Sequence, residues 1–251
     1  MDESFFFKNR DNENVAAIIH NPKNSNDKGI VFLHCFTCTK HHRIVRTVSE
    51  RLAAEGYTVL RFDFSGNGES EGNIEDATYT KMITEVKEAV SILKKKGIEK
   101  IGLVGHSMGA MLSLLTAYED KRVSVVAFIS GSSQGARVRE IFPTDVLEKA
   151  EKIGSAETSI YNRMIKIKRE FLLDVERYNV GYAVAELKRP LLIVHGTMDN
   201  IIPSYHARQL YAWAHEPKTF KLIEGADHLF KNEKHLNELK ETVTTWFNQN
   251  L

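Results

Sequence analysis

Several things are scarce in this 251-residue chain. Cysteine is limited to two residues, too few for the disulfide framework of a small secreted fold. An excess of one charge is missing as well. Lys and Arg total 34 against 33 Asp and Glu, a net charge of +1. That balance argues against a bulk electrostatic partner such as nucleic acid or an anionic membrane. No apolar run approaches the roughly 20 residues of a membrane-spanning helix, so no integral membrane association is expected. The opening MDESFFFKNRDNEN lacks the basic-then-apolar order of a signal peptide, and a soluble cytoplasmic protein is the expectation. Internal repeats and low-complexity tracts are absent too.

What is present is a 42% apolar composition, enough for a substantial core, at a length that suits one α/β domain or a domain with an insertion. Short apolar runs alternate with longer amphipathic stretches, the pattern of a parallel sheet covered by helices. SFFFK and VAAIIH read as an opening antiparallel hairpin. Further strands are predicted at 29–36, 58–64, 100–106, 123–130, 191–196 and 219–225, and helices at about 42–55, 78–96, 107–119, 204–215 and 233–249.

One interval breaks the rhythm. Between VVAFIS and LLIVHG lie roughly 60 residues, far more than an ordinary strand-to-helix connection. A helix is predicted over about 144–153, and a second over about 159–177. In the second, Ile160, Met164, Ile167, Phe171 and Val175 recur at helical spacing, and Tyr161, Ile165 and Leu172 widen the stripe. Its charged residues Arg163, Lys166, Lys168 and Arg169 read as a solvated helix face. The expected organisation is a core of residues 1–131 and 189–251 carrying a small helical cap over 132–188. Ile160, Met164 and Phe171 are expected to pack on the core or line a substrate pocket.

The most informative stretch is GLVGHSMGA, residues 102–110. Gly105-His106-Ser107-Met108-Gly109 reads Gly-x-Ser-x-Gly where a strand ends and a helix begins, the context of a nucleophile elbow. The sharp turn projects the serine hydroxyl above the sheet, and a Cβ at either glycine would collide with neighbouring backbone. A serine hydroxyl attacks at neutral pH only if a base takes its proton and an acid orients the base. In this elbow context the chain order is serine, acid, histidine. LLIVHGTMDNIIP offers Asp199 just past one strand, and FKLIEGADHLF offers His228 past the next. Open α/β sheets gather their ligand-binding groups at these carboxyl ends.

These strings, with VFLHCFTCTK and RFDFSGNGESEG, resemble serine hydrolases of the α/β-hydrolase fold, in the branch of small esterases, monoacylglycerol lipases and cinnamoyl (feruloyl) esterases. The resemblance implies a mostly parallel, eight-stranded twisted sheet flanked by helices. It implies Ser107 as nucleophile, Asp199 as acid and His228 as base, and an oxyanion hole formed by the N–H groups of Phe36 and Met108. It also makes SGNGESEG, residues 65–72, a turn near the active site. That loop lacks the lysine of a phosphate-binding P-loop.

Cys35 and Cys38 sit where that family usually has glycine, so Cys35 must hold the turn without glycine's access to positive φ. Three readings of Cys-x-x-Cys stand side by side. Packing within the turn is favoured. A redox pair would open a helix beside a thioredoxin-like unit, which nothing else supports. A zinc site would need four ligands, and His34, Cys35, Cys38 and His41 would point apart if they alternate along a strand end.

The function expected is hydrolysis of small carboxylic esters, hydroxycinnamate or short-to-medium acyl, through an acyl-enzyme, with no cofactor and no metal. A thioesterase, peptidase or lysophospholipase would use the same triad, and a non-catalytic binding module on this scaffold is a further alternative. The partner expected is a small-molecule ester, and a homo-oligomer is compatible with the sequence.

Overall fold

The computed structural model describes residues 2–135, 139–140, 142–160 and 163–251. Eight strands form one sheet: β1 (Asp2–Lys8), β2 (Asn14–His20), β3 (Lys28–Leu33), β4 (Thr58–Phe62), β5 (Lys100–His106), β6 (Val123–Ile129), β9 (Leu191–Gly196) and β10 (Lys218–Ile223). Their order is β1-β2-β4-β3-β5-β6-β9-β10. β2 runs antiparallel to β1 and to β4, and every later pairing in the sheet is parallel. The opening hairpin thus caps one edge of a parallel sheet.

Helices cover both faces because successive side chains of a strand point to opposite sides. Val31, Leu33, Leu103 and Phe128 pack with α2 (Tyr79–Lys95) and α3 (Met108–Glu119). Ile30, Phe32, Val104 and Ala127 pack with α1 (Arg43–Ala54) and the last helix, Glu233–Asn250. The Thr78 hydroxyl caps α2 by accepting the Lys81 N–H at 3.1 Å, satisfying one of the orphan donors of the first turn. β5 lies near the centre of the sheet, so its carboxyl end, at His106 and Ser107, opens above the middle of the molecule.

Between β6 and β9 the chain leaves the sheet. It forms α4 (Thr144–Ile153), the antiparallel hairpin β7 (Ser155–Ile160) and β8 (Arg163–Lys168), α5 (Arg169–Val175) and α6 (Val180–Glu186). The hairpin replaces the first half of the helix expected over 159–177, and α5 is much shorter than that expectation. Gly154, in the left-handed region at φ 96°, ends α4. Beyond it the burial alternates: Ala156, Thr158 and Ile160 are buried while Glu157 and Ser159 are exposed, and Ile165 and Ile167 are buried while Met164 is exposed. That period of two, carried by β-branched residues, favours strands. Tyr161 lies outside the described residues. Lys166 and Lys168 do not lie on a solvated helix face; they turn to Glu75 and Asp76. The excursion is tied down beside α2, where Asp174 accepts the Thr80 N–H at 3.0 Å and the Thr80 hydroxyl at 2.5 Å.

Candidate active site

Ser107 joins β5 to α3 at φ 58°, ψ −118°, a conformation that side chains rarely adopt. The neighbours explain why it persists. A Cβ on Gly105 would lie 2.1 Å from the Gly109 carbonyl oxygen, and one on Gly109 would lie 2.3 Å from that of Leu33. The Ser107 N–H donates to the Ile129 carbonyl at 2.9 Å. The turn is held by backbone contacts that only glycine at both flanks permits.

The loops after β9 and β10 bring the two partners. His228 Nε2 lies 3.1 Å from the Ser107 hydroxyl, and His228 Nδ1 lies 2.7 Å from Asp199 Oδ2. Asp199 Oδ1 accepts the N–H groups of Ile201 at 2.9 Å and Ile202 at 2.8 Å. His195 Nε2 lies 2.7 Å from the Ile202 carbonyl and 3.2 Å from Asp199 Oδ2. Both of those are acceptors, so this nitrogen carries the proton. Burial alone would raise the Asp199 pKa, but the hydrogen bonds from His195 and His228 outweigh it and hold the carboxyl well below its usual range. A carboxylate so fixed requires a donor at His228 Nδ1, which leaves Nε2 free to accept from Ser107.

Two more histidines, unremarked in the sequence beyond their motifs, stand behind this group. His106 is fully buried, 4.9 Å ring to ring from His228, and its Nε2 donates to the His228 carbonyl at 2.8 Å. His42 stacks on His106 at 6.1 Å. Burial, and then the nearby His228, lowers the pKa of both rings. Neutral rings at these positions add no charge beside a protonated His228.

A cavity of about 750 Å³ opens at Ser107 and His228. Phe36 and Met108 both line it, with Met111, Met198, Ile201 and Leu229 supplying much of the apolar wall and Glu140, Asp227 and Lys231 adding charge. Ile160, Met164 and Phe171 are not among its lining residues. Met164 is 66% exposed, because it sits on the outer face of β8. Phe171 instead packs its ring 6.5 Å from that of Phe36 and 6.5 Å from that of Phe142, supporting the wall from behind. Nothing in the periodicity of 159–177 could separate a supporting ring from a lining one.

The turn after β3 also departs from expectation. β3 ends at Leu33, so residues 34–38 are not alternating strand positions. The Cys38 N–H donates to the Cys35 carbonyl at 3.1 Å, and this turn brings the two side chains together. Cys35 and Cys38 form a disulfide with Cα atoms 5.2 Å apart, and neither is free. The expectation of simple packing in the turn is therefore overturned. The residue at positive φ is Thr37, at 61°, and not Cys35. His34 fixes the base of the turn, donating from Nδ1 to the Cys35 carbonyl at 2.7 Å and accepting the Phe64 N–H on Nε2 at 3.0 Å. Just beyond, Lys40 is buried against Asp63, its N–H and ammonium donating to the two carboxylate oxygens at 2.5 and 2.6 Å. The glycine-rich loop over 65–72 packs here and does not line the cavity: a Cβ on Gly68 would lie 2.2 Å from Asp63 Oδ2.

A family model described as alpha/beta hydrolase fold matches residues 29–153. The esterase domain of a Rhodothermus marinus protein superposes with a TM-score of 0.79 at 29% identity, covering 100% of this chain and 99% of that one. This chain has the alpha/beta hydrolase fold. Est1E from Butyrivibrio proteoclasticus, solved with ferulic acid bound, superposes with a TM-score of 0.83 at 24% identity over 98% of both chains. Human mitochondrial palmitoyl-protein thioesterase ABHD10 is 24% identical over 191 residues, 72% of this chain and 60% of that protein. The chain spans less than two thirds of the length of several further curated relatives as well. Among the described residues no helix is long and apolar enough to cross a membrane.

Proposed function

We propose that this alpha/beta hydrolase is a serine carboxylesterase acting through an acyl-enzyme. The observation that carries the reading is the hydrogen-bonded chain from the Ser107 hydroxyl through His228 to the buried Asp199 carboxylate, at the wall of a largely apolar cavity of drug-like size. In this reading Ser107 attacks the ester carbonyl while His228 Nε2 takes its proton. Asp199, with its oxygens occupied by four donors, keeps the imidazole in the required tautomer and stabilises its charged form. The N–H groups of Phe36 and Met108 receive the oxyanion. Losing one such donor typically costs about 2.7–4 kcal/mol of barrier. His228 then gives its proton to the leaving alcohol, and water repeats the sequence to release the acid.

The α4–β7–β8–α5–α6 excursion over 132–188 serves as the cap in this account. Its Ser132 and Glu140 reach the cavity, while Phe142 and Phe171 brace Phe36. The substrates favoured are small esters with an apolar acyl group, hydroxycinnamoyl esters included. A thioester is the second reading, favoured by the sequence likeness to a palmitoyl-protein thioesterase.

A panel of p-nitrophenyl esters of graded chain length, a hydroxycinnamate ester and an acyl-thioester tests the proposal. Ester turnover with the highest kcat/KM, lost in Ser107→Ala, supports it. Thioester turnover well above every ester would replace it with the second reading, and turnover of none would overturn both.

A further inference from the structure

The disulfide turn holds more chemistry than an ester hydrolase uses. Three potential ligand atoms, one each from Cys35, Cys38 and His42, lie within 4.8 Å of one another at the wall of the cavity. The turn that joins the two cysteines fixes their sulfurs side by side. His42 immediately precedes α1, and its ring is held by the stack on His106. Its Nδ1 is buried and has no hydrogen-bond partner among the described residues. A buried polar nitrogen without a partner carries a desolvation penalty, and an ion bound at Nδ1 would offset it.

We propose that Cys35, Cys38 and His42 form a redox-gated site for a thiophilic divalent cation, with zinc the ion its donors fit, and that occupation of this site closes the cavity to esters. Two thiolates and one imidazole make a three-ligand set with a fourth position left open, a pattern known for zinc. Tetrahedral zinc, with bonds of about 2.3 Å to sulfur and about 2.0–2.1 Å to nitrogen, needs its donors roughly 3.5–3.8 Å apart. Small side-chain adjustments within the 4.8 Å cluster reach that spacing.

The other two histidines of this stretch, His34 and His41, are engaged elsewhere. His34 uses both ring nitrogens on the Cys35 carbonyl and the Phe64 N–H. His41 is largely exposed and faces Glu69 at 3.7 Å. The zinc ligands suggested by the sequence alone, His34 and His41, are thus the wrong histidines, and His42 is the right one.

In the disulfide form neither sulfur is a thiolate, so the site does not exist. Opening it takes two electrons and two protons from a dithiol reductant, which is itself oxidised to a disulfide while Cys35 and Cys38 become thiols. Binding of Zn²⁺ then releases the two thiol protons. The ion would occupy the loop that carries the Phe36 N–H, in the same wall as Ser107.

The test uses the full chain, reduced with a phosphine, freed of reductant without air, and titrated first with Co²⁺ and then with Zn²⁺. The expected result is one Co²⁺ per chain, with thiolate-to-metal charge-transfer absorption and the strong visible bands of tetrahedral cobalt, displaced by one equivalent of zinc. The disulfide form should show neither signal. Cys38→Ser and His42→Gln should each weaken zinc binding by about 100-fold or more, beyond what loss of an outer-shell partner costs. His41→Gln should bind as the parent does. Equal zinc binding by the reduced and oxidised chains would overturn the site, as would parent-like binding by His42→Gln. These readings do not depend on esterase activity. In the reduced chain, turnover of a p-nitrophenyl acetate should fall in step with zinc and return with chelator. Unchanged turnover at full occupancy would overturn the closure. Absence of turnover in the zinc-free chain would instead count against the esterase reading.

Discussion

The imidazole of His34 accepts the backbone N–H of Phe64 on Nε2 at 3.0 Å, while its Nδ1 donates to the Cys35 carbonyl at 2.7 Å. The ring therefore bolts the turn that carries Phe36 to the loop after β4. Both bonds require the neutral tautomer with its proton on Nδ1, because a proton on Nε2 would face another donor.

A pH dependence of stability follows. Burial lowers the His34 pKa from 6.5 to about 4, against the opposing pull of the Cys35 carbonyl and Asp63. The folded value lies below the unfolded one, so between them the unfolded chain binds more protons, and stability is lost as pH falls from about 6.5 to about 4. The full loss from this residue is on the order of 3 kcal/mol, and about 2 kcal/mol of it comes between pH 7 and pH 5. Denaturant unfolding of the disulfide form at these two pH values, for the parent and His34→Gln, measures it. A parent that loses no more stability than the variant would show that His34 is not the group involved.

Lys40 and Asp63 supply a second anchor for the same turn. Their side chains are 2% and 0% exposed, so removing Asp63 leaves the buried Lys40 ammonium with only the exposed Glu69 carboxylate as an ionic partner. Asp63→Ala is expected to cost about 3–5 kcal/mol of unfolding free energy. It should also lower kcat, because the chain just beyond Cys38 loses its tether. Stability within about 0.5 kcal/mol of the parent, the range of an ordinary surface change, would mean that the pair is not structural.

Phe171 shows how far the sequence could be read and where it stopped. Its apolar character and its place in the excursion were legible, and so was the order Ser107, Asp199, His228, because each follows an apolar run that could only be a strand of the sheet. The split of 159–177 into hairpin and helix was not legible as written, since Ile160, Met164 and Ile167 satisfy a helical spacing while Ala156, Thr158 and Ile160 satisfy a strand's. The pairing of Cys35 with Cys38 is hidden in the sequence because β3 stops at Leu33, a boundary that the apolar run VFLHCF conceals. His42 stands beside the cysteine pair and His106 within Gly-x-Ser-x-Gly, but neither motif nor period marks a buried ring stack.

Phe171→Ala should lose about 3–5 kcal/mol of stability, the range for a buried aromatic truncation, and should lower kcat on a small acetate ester by freeing the Phe36 ring that it supports. Phe171→Leu should recover most of both. Thermal unfolding with steady-state kinetics checks it. A stable variant with altered chain-length preference and unchanged acetate turnover would place the ring in the pocket wall instead.

The central claim is that Ser107 is a nucleophile activated by His228. Stoichiometric labelling with a fluorophosphonate, located by peptide mass spectrometry, tests it most directly. The account predicts one probe per chain on Ser107, no labelling of Ser107→Ala, and greatly slowed labelling of His228→Ala, alongside a loss on the order of 10⁶ in kcat for Ser107→Ala. Labelling at another residue, or a Ser107→Ala protein that keeps a tenth of the parent's hydrolysis, would contradict it.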